Sequence, residues 1–287
     1  MKKSLNRAYV EIGNVCNLSC SFCPGTHRAP RQMEPSEFQA VCDALQPYTD
    51  YLYFHVMGEP LLHPHLGEFL SVAGEYGFRV SITTNGVLLP DVGELLLLHA
   101  DTLHKISVSL HSAEGNGEDI DRDGYLSSAI AFAREAANKG IYTVFRLWNL
   151  DTDARKGENG KNAEIETRLK EAFSDAWVKR PNGYRVAQNV FLEYAGIFTW
   201  PSESEAEEID DGYCHGLLDQ IAVLADGTVV PCCLDAEGEI ALGNLFSTPL
   251  SQILSSLRCE KMREGLKNGR LTEPLCKKCT YRRRFKR

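Results

Sequence analysis

The sequence predicts an α/β protein with a parallel sheet, followed by a smaller region in which the α/β alternation stops. Three observations carry this prediction. The chain has 287 residues, of which 43% are hydrophobic and 24% charged, so it is long enough for a sizeable core and unlike a disordered chain in composition. Between residues 8 and 194, β-rich runs alternate with helix-length segments, as they do in parallel sheets. An acidic stretch at residues 201–212 ends the pattern.

Six strands and five helices follow from this pattern. The strands are predicted at residues 9–12, 51–57, 78–83, 105–110, 142–148 and 190–194. The helices are predicted at residues 35–45, 65–76, 91–99, 125–138 and 163–173. Ser36 is well placed to cap the first helix, and Gly140 lies where the fourth should end. The periodicity leaves open whether the sheet is open or curled into a barrel.

Polar stretches mark the connections and the domain boundaries. Residues 151–162 are predicted to form a loop, and residues 201–212 read as a linker because they are acidic and nearly free of apolar side chains. We therefore predict one domain at residues 1–199 and a second at 214–287, joined by an acidic linker at 200–213.

The second predicted domain begins with a β-hairpin. Asp226 and Gly227 form a favourable turn between β-rich runs at residues 221–224 and 228–230. A helix is predicted after the hairpin, at residues 249–265. The second domain is therefore expected to be small, with a β-hairpin followed by a helix.

The charge distribution and the hydropathy exclude two classes of function. The formal net charge is −8, and the last eleven residues carry seven basic side chains, so the remainder sums to −15. An acidic body is untypical of nucleic-acid-binding proteins. No apolar run approaches the ~20 residues that span a bilayer, and the first residues lack a signal-peptide core. We expect no membrane association and a cytoplasmic location.

Three cysteines lie within eight residues, directly after the first predicted strand. Cys16, Cys20 and Cys23 are spaced so that their sulfurs surround one centre. Structural zinc usually takes four ligands, and apart from His27 no fourth ligand is close in sequence. Three thiolates suit a cubane iron–sulfur cluster with one iron left open. A zinc site is the alternative.

The spacing C-x-x-x-C-x-x-C, with Phe22 before the last cysteine, resembles the signature of the radical S-adenosylmethionine (SAM) superfamily. The resemblance implies a partial (β/α)6 barrel with the site at the carboxyl ends of the strands. It implies a 4Fe-4S cluster whose open iron binds SAM, and an external one-electron donor of the flavodoxin or ferredoxin type. Reductive cleavage of SAM then yields a 5′-deoxyadenosyl radical that abstracts hydrogen from a substrate.

Further residues at predicted strand ends resemble the SAM-binding positions of this family. Gly58, Glu59 and Pro60 form a Gly-Glu-Pro motif after the second strand, where the family holds the methionine amino group. For Ser109 and Arg146, a structural serine and a surface ion pair are the alternatives. The resemblance assigns the following residues to SAM: Phe22 beside the adenine, Gly58, Glu59, Pro60, Thr84, Asn85, Ser109 and Arg146.

A second group of cysteines lies near the end of the chain. Cys214, Cys232 and the pair Cys276 and Cys279 resemble the SPASM/twitch auxiliary-cluster domain of this superfamily. The chain ends eight residues after Cys279, which favours the shorter twitch form with one auxiliary 4Fe-4S cluster. Four thiolates leave no open iron, so the resemblance implies electron transfer or a structural role. A zinc ribbon is the alternative.

The sequence also contains three further cysteines, a histidine at a strand end and a basic tail. Cys42 and Cys259 lie in predicted helices and are expected in the core. Cys233 and His111 are the candidate catalytic residues: Cys233 is either a filler or a thiol near the active site, and His111 faces the substrate. The basic tail at residues 277–287 offsets the charge of the cluster, binds an acidic partner or is a solvated end.

The resemblance identifies the initiating step, and the substrate stays open. We predict a radical SAM enzyme that oxidises a small molecule or a peptide residue, with an auxiliary cluster accepting an electron. A peptide-modifying epimerase or cross-linking maturase is the second hypothesis. A non-catalytic zinc-binding scaffold is the alternative of another class.

Overall fold

A computed structural model describes the fold at residues 3–116, 121–150, 159–160, 162–202 and 209–285. Most of the predicted loop at residues 151–162 and half of the predicted linker at residues 201–212 lie outside these ranges. No helix in the described part is long and apolar enough to cross a membrane.

The chain forms two compact units that interleave along the sequence. The first contains Met1–Val15, Pro24–Arg79 and Phe198–Arg287, and the second contains Cys16–Cys23 and Val80–Ile197. The first cysteine group thus belongs to the second unit, and the C-terminal cysteines belong to the first. The domain boundaries at residues 199 and 214 stay predictions.

The secondary structure alternates as the sequence predicts. The described residues contain the strands β1 (Arg7–Val10), β2 (Tyr51–Phe54), β3 (Arg79–Thr84), β4 (Leu103–Ser109), β5 (Tyr142–Leu150), β6 (Val178–Arg180), β7 (Gly183–Ala187), β8 (Val190–Gly196), β9 (Gln220–Val223), β10 (Thr228–Val230) and β11 (Gly243–Asn244). They contain the helices α1 (Pro35–Leu45), α2 (Leu66–Glu75), α3 (Leu89–Leu98), α4 (Ser112–Gly115), α5 (Arg122–Asn138), α6 (Asn162–Ala172), α7 (Leu250–Leu254), α8 (Leu257–Lys267) and α9 (Pro274–Lys278). Two short 3-10 helices lie at Pro60–Leu62 and Tyr281–Arg284.

Each unit contains parallel strands that are extended by antiparallel ones. In the first unit, β1 runs parallel to both β2 and β9, and β10 and β11 extend this sheet in antiparallel pairs. In the second unit, β3, β4, β5 and β8 are parallel neighbours in that order, and β7 and β6 follow as an antiparallel edge. Parallel strands place their carboxyl ends at one edge, where α/β proteins build their sites.

The helices cover the strands through apolar faces with helical spacing. Phe38, Val41, Cys42 and Leu45 of α1 are buried, and the Phe38 ring stacks on Phe69 of α2 with centroids 4.3 Å apart. Burial of this face drives the packing of both helices. The predicted core position of Cys42 is confirmed, since its side chain is completely buried.

Several details differ from the sequence predictions, among them the short elements α4, α9 and β11, which were not predicted. The helix predicted at residues 249–265 is two helices, α7 and α8, because the Ser256 side chain accepts the Cys259 N–H and caps a new start. The hairpin of β6 and β7 was absent from the prediction. Helix α1 is capped by Glu34 and not by Ser36, because Pro35 occupies the first helical position and Glu37 accepts the Glu34 N–H at 2.9 Å.

Candidate functional site

The first cysteine group lies on a loop of the second unit. Cys16 and Cys23 are exposed, Cys20 is half-buried, and the Cys23 N–H donates to the Cys20 carbonyl at 2.9 Å. The Ser21 N–H donates to the carbonyl of Gly115, which ends α4, at 3.1 Å. The loop therefore presents its thiols at the surface while its backbone is anchored to the residues that follow β4.

Side-chain amides contact two of these thiols. Asn116 Nδ2 donates to Cys20 Sγ at 3.1 Å, and Asn116 Oδ1 accepts the Ser19 N–H at 3.1 Å. Asn85 Nδ2 donates to Asn17 Oδ1 at 2.8 Å and lies 4.0 Å from Cys16 Sγ. Because N–H groups stabilise the negative charge of thiolate ligands, this donor set suits an iron–sulfur cluster. Asn85 was predicted from the sequence as a site residue, and Asn116 was not.

The aromatic residue of the first motif packs against the candidate histidine. The Phe22 and His111 rings have centroids 4.8 Å apart, and Gly115 lies so close to Phe22 that a Cβ there would stand 2.6 Å from the ring. His111 is buried, and its Nδ1 lies 3.0 Å from the Arg146 carbonyl. Burial lowers the pKa of His111 to about 4, so its imidazole is neutral at pH 7.

His111 lines a small pocket in the second unit. Glu114 and Asn149 also line it, and Asn149 Nδ2 donates to the Glu114 carboxylate at 2.7 Å. Asn149 and Asn162 exchange amide hydrogen bonds at 2.9 and 3.0 Å. The pocket thus combines apolar side chains such as Leu110 with a hydrogen-bonded group of polar side chains.

The predicted strand-end residues of the second unit occupy different environments. Strand register pairs Ser109 with Arg146 and Arg146 with Glu193, which gives one polar row across β4, β5 and β8. Arg146 is buried, and its guanidinium carbon lies 3.4 Å from the centroid of the Trp148 ring. The surface ion pair considered for Arg146 is therefore wrong. Thr84 is buried, and its hydroxyl accepts the Gly86 N–H at 2.9 Å.

The Gly-Glu-Pro motif of the first unit is a tight turn against the segment that leads to Cys16. Gly58 has a φ of +77°, and a Cβ there would stand 2.4 Å from the Gly13 carbonyl oxygen. The Glu59 N–H donates to the Val15 carbonyl at 2.9 Å, and the Glu59 carboxylate accepts the Leu61 N–H at 3.0 Å. Glycine is therefore required at position 58 by conformation and by contact.

A buried carboxylate beside this turn was missed by the sequence analysis. Glu11 is 1% exposed and makes a bidentate ion pair with Arg28 at 2.7 and 2.6 Å. It also accepts the N–H groups of Met57 and Ala225, each at 3.2 Å. Glu11 thus joins the end of β1, the residue before Gly58 and the turn after β9. Its only sequence signal is a charged residue directly after an apolar strand.

The second cysteine group is half-buried within the first unit. Burial raises the pKa values of the Cys214, Cys232 and Cys276 thiols, and the charges of neighbouring cysteines in the group raise them further. The Cys279 thiol has a raised pKa for the same main reason, burial. The four sulfurs are therefore close enough to interact, and they would need a cationic centre to be held as thiolates.

Backbone amides two residues farther along the chain face three of these sulfurs. The Gly216 N–H donates to Cys214 Sγ at 3.4 Å. The Leu234 N–H donates to the Cys232 sulfur, and the Tyr281 N–H donates to the Cys279 sulfur. Each hydrogen bond lowers the pKa of its thiol, but burial raises that pKa by more. Such N–H donors to sulfur accompany thiolate ligation of iron–sulfur clusters. The residues present therefore fit such a cluster.

The other cysteines are placed in the core. Cys259 is completely buried, which confirms the prediction for it. Cys233 packs against an apolar cluster that includes Met57 and Leu224, and it lies beside the Tyr9 hydroxyl. In the described part of the chain, no three His, Cys, Asp or Glu side chains converge as the ligands of a single metal ion do. The donor groups around the sulfurs therefore indicate the kind of metal centre.

Comparison with family models decides the membership. A model of the radical SAM superfamily matches residues 10–155, just over half of the chain. The chain belongs to the radical SAM superfamily. A second model, of the SPASM iron–sulfur cluster-binding domain, matches residues 214–280. This radical SAM chain thus combines a domain that uses SAM and a 4Fe-4S cluster with a domain that binds an auxiliary iron–sulfur cluster.

Individual relatives are similar over part of their length. The S-adenosyl-L-methionine-dependent 2-deoxy-scyllo-inosamine dehydrogenase of Niallia circulans is 30% identical over 98 residues, which cover 32% of this chain and 39% of the relative. Across the curated relatives, the matched part spans between 29% and 51% of their own length.

Solved structures match nearly the whole chain. The crystal structure of BtrN in complex with AdoMet and 2-DOIA has a TM-score of 0.61 at 19% identity and covers 98% of this chain and 94% of BtrN. Native anSMEcpe with bound AdoMet and the Cp18Cys peptide also has a TM-score of 0.61, at 14% identity, with 96% and 86% coverage. These likenesses concern the fold, and they confirm the predicted α/β class.

Proposed function

We propose that this radical SAM protein oxidises a small polar molecule and passes one electron of the oxidation to a single auxiliary 4Fe-4S cluster. The observation that carries the proposal is the contrast between its cysteine groups. Three thiols lie on a surface loop with amide donors, which suits a cluster with an open iron. Four half-buried, mutually interacting thiols suit a cluster with all its irons ligated.

Cys16, Cys20 and Cys23 are the proposed ligands of the first cluster. SAM bound at its open iron and reduced by one electron supplies a carbon-centred radical that takes a hydrogen atom from the substrate. Glu59 and the turn at Gly58 would hold the amino group of SAM, and Phe22 would contact its adenine. Asn85 follows the end of β3, Ser109 ends β4, and Arg146 lies within β5 opposite Ser109. These three would contact the ribose and carboxylate of SAM. Arg146 suits a carboxylate because its guanidinium donates in pairs.

Not every predicted SAM residue is supported equally by its surroundings. The Thr84 hydroxyl is used within its own turn, and Pro60 begins a 3-10 helix. We therefore propose that both shape the binding surface through the backbone. His111 is proposed as a neutral wall of the substrate pocket, because an imidazole with a pKa of about 4 does not act as an acid near pH 7.

Cys214, Cys232, Cys276 and Cys279 would hold the auxiliary cluster, which would supply an electron acceptor for the oxidation. A substrate that has lost a hydrogen atom must lose one more electron and a proton to become a stable product. A cluster with four protein ligands has no iron for substrate, so electron transfer is the role that its ligation favours. The dehydrogenase name of the Niallia circulans relative supports the same reaction class.

The first cluster must be reduced from outside the chain. We propose a one-electron donor of the flavodoxin or ferredoxin type, since SAM cleavage consumes one electron per event. Iron–sulfur clusters of this kind also require reducing conditions, so we propose that the protein works in the cytoplasm.

A peptide-modifying epimerase or maturase is the second candidate. Cys233 favours epimerisation, because a thiol beside Tyr9 and next to the ligand Cys232 is a possible hydrogen-atom donor. The anSMEcpe structure holds a peptide and shares the fold. Cys233 packs among apolar side chains, however, and a filler role accounts for it more simply.

The enzymatic class is tested first without substrate. Anaerobically reconstituted protein should contain about eight irons per chain, the content of two four-iron clusters. When reduced, it should release 5′-deoxyadenosine and methionine slowly from SAM. Stoichiometric zinc without iron would identify the zinc-binding scaffold and overturn the proposal.

The reaction type is tested in deuterated water with wild type and Cys233→Ala. We would use 2-deoxy-scyllo-inosamine as the first probe, followed by other amino alcohols and peptides. Oxidation predicts a product two mass units below the substrate, unaffected by the mutation. A product with one solvent deuterium that is lost in Cys233→Ala would instead establish epimerisation.

A further inference from the structure

The basic tail contains one arginine that points into the protein. Arg282 lies in the 3-10 helix Tyr281–Arg284 and is only 8% exposed, whereas its neighbour Arg283 is exposed. Long charged side chains rarely become this buried unless a group inside the protein compensates them. The location of Arg282 therefore calls for a partner with negative charge.

The described residues satisfy only part of this guanidinium. Arg282 Nη1 donates to the Asp211 carbonyl at 2.8 Å. Its Nε and Nη2 are buried, and neither has a hydrogen-bond partner among the described residues. Other charges of this region are paired elsewhere, since Lys277 forms an ion pair with Asp210 at 2.6 Å. Three N–H groups of a buried cation are thus left for a group that the protein chain does not provide.

The position of Arg282 identifies that group. It follows Cys279 by three residues, and its guanidinium packs against Gly212, which precedes Cys214 by two residues. A Cβ on Gly212 would stand 2.4 Å from Arg282 Nη1. Arg282 is therefore held between two segments that supply cluster ligands. Its backbone N–H and its charge both act on the Cys279 sulfur.

We propose that Arg282 donates hydrogen bonds to the auxiliary cluster and acts as its internal counter-charge, and thereby raises the reduction potential of that cluster. A 4Fe-4S cluster with four thiolates carries net negative charge, and reduction adds one more electron. A buried cation stabilises the reduced form more than the oxidised form, because Coulomb energies are large where water is excluded. Under the proposed function, a higher potential makes the cluster a better acceptor for the substrate electron.

The proposal is tested by the midpoint potential of the auxiliary cluster, measured by redox titration with electron paramagnetic resonance. The full chain with Cys16, Cys20 and Cys23 replaced by Ala isolates the signal of this cluster. In that background, Arg282→Gln should make reduction about tenfold less favourable, which for a one-electron couple is about 59 mV lower in potential. Arg282→Lys should retain most of the potential, and the exposed control Arg283→Gln should leave it unchanged.

Ionic strength provides a second readout. The difference between wild type and Arg282→Gln should persist in 1 M salt, because buried charges are screened far less than exposed ones. An unchanged potential in Arg282→Gln with full iron content would overturn the proposal. If Arg282→Gln loses the auxiliary iron, retention of iron in Arg282→Lys supports the counter-charge, whereas loss in both variants indicates a packing role and contradicts it. None of these measurements needs SAM cleavage or substrate turnover, so they do not depend on the proposed reaction.

Discussion

The two cysteine groups of this protein differ in the origin of the N–H donors that face their sulfurs. In the first group the donors are side-chain amides of Asn85 and Asn116, which lie far away in sequence. In the second group they are backbone amides such as that of Gly216, two residues from the cysteine itself. The first arrangement depends on the tertiary fold, and the second is built into the local turn.

The groups also differ in their contact with solvent. Cys16 and Cys23 are exposed, whereas burial raises the pKa values of all four C-terminal thiols. An open iron must exchange its ligand at every turnover, which requires access. An electron acceptor needs no exchange, and exclusion of solvent helps to set its potential. The difference in burial therefore follows from the difference in proposed role.

The largest effect should come from removing either group. Replacement of Cys16, Cys20 and Cys23 by Ala should remove about half of the iron and all SAM cleavage, because this group holds the open iron. Replacement of Cys276 and Cys279 by Ala should remove the other half and leave some cleavage. Iron and sulfide analysis with quantification of 5′-deoxyadenosine checks both outcomes. Equal loss of cleavage in the two variants would mean that the groups do not have separate roles.

A second, large effect is expected on SAM cleavage, which depends on the first cysteine group, and not on the auxiliary cluster. Gly58→Ala forces a Cβ against the Gly13 carbonyl, whereas a Cβ added at Gly77, which has almost the same φ of +76°, would meet no atom within 4 Å. Both substitutions should cost about 1–2 kcal/mol of stability for the left-handed backbone. Gly58→Ala should also lower SAM cleavage about 100-fold through displacement of the binding turn.

The pair of glycine variants separates conformational strain from contact. Isothermal titration calorimetry with SAM and the cleavage rate should show a defect in Gly58→Ala and none in Gly77→Ala. The auxiliary cluster should keep its iron in both. Normal SAM affinity in Gly58→Ala would mean that the Gly-Glu-Pro motif serves only as a turn. Glu59→Ala should weaken SAM binding for a different reason, since it removes the carboxylate.

Much of this site was predictable because its residues are tied to strand ends and to short spacings. The two cysteine groups, the turn at Gly58 and the strand end at Asn85 follow from local sequence. Asn116 and Glu11 do not, because their contacts join residues that are 96 and up to 214 positions apart. No local pattern encodes such pairs.

The hairpin of β6 and β7 escaped prediction for a physical reason. All three residues of β6 are exposed, so Val178, Lys179 and Arg180 lack the alternation of apolar and polar residues that marks a half-buried strand. The burial of Arg282 was also not predictable from local sequence. Arg283 and Arg284 follow it directly, and only the fold determines that the Arg282 side chain is the one that points inward.

A third effect should reach both proposed cluster sites, because Glu11 contacts Met57, next to the turn at Gly58, and Ala225, in the turn that precedes Cys232. Glu11→Gln should cost about 3–5 kcal/mol of stability, since it breaks an ion pair whose carboxylate is buried and leaves the half-buried Arg28 without its counter-ion. Glu37→Gln is a matched control, because Glu37 also pairs with an arginine, Arg31, but at the surface. That control should cost at most about 1 kcal/mol, and glutamine still serves in the capping box.

Chemical denaturation of the two variants under anaerobic conditions gives both free energies of unfolding. SAM cleavage at low denaturant reports whether the turn at Met57 is displaced, and auxiliary iron reports on the turn at Ala225. We expect Glu11→Gln to impair both. Equal stability of Glu11→Gln and Glu37→Gln would mean that the buried ion pair contributes no more than the surface pair.

The smallest effect tests the origin of the N–H donors directly. Asn116→Ala removes one donor to Cys20 Sγ, and a hydrogen bond to sulfur stabilises the reduced, more negative cluster. The potential of the first cluster should therefore fall by at most about 59 mV, which corresponds to a tenfold change in the equilibrium for one electron.

Asn85→Ala should lower the potential of the first cluster less, because Asn85 Nδ2 lies 4.0 Å from Cys16 Sγ, whereas Asn116 Nδ2 lies 3.1 Å from Cys20 Sγ. Redox titration in a Cys276→Ala and Cys279→Ala background isolates this cluster. A backbone donor cannot be deleted in this way, so the side-chain amides make the first group the one whose N–H donors to cysteine sulfur can be removed by single substitutions. An unchanged potential in Asn116→Ala would show that its amide serves to position the Ser19 backbone, and the two groups would then differ in burial alone.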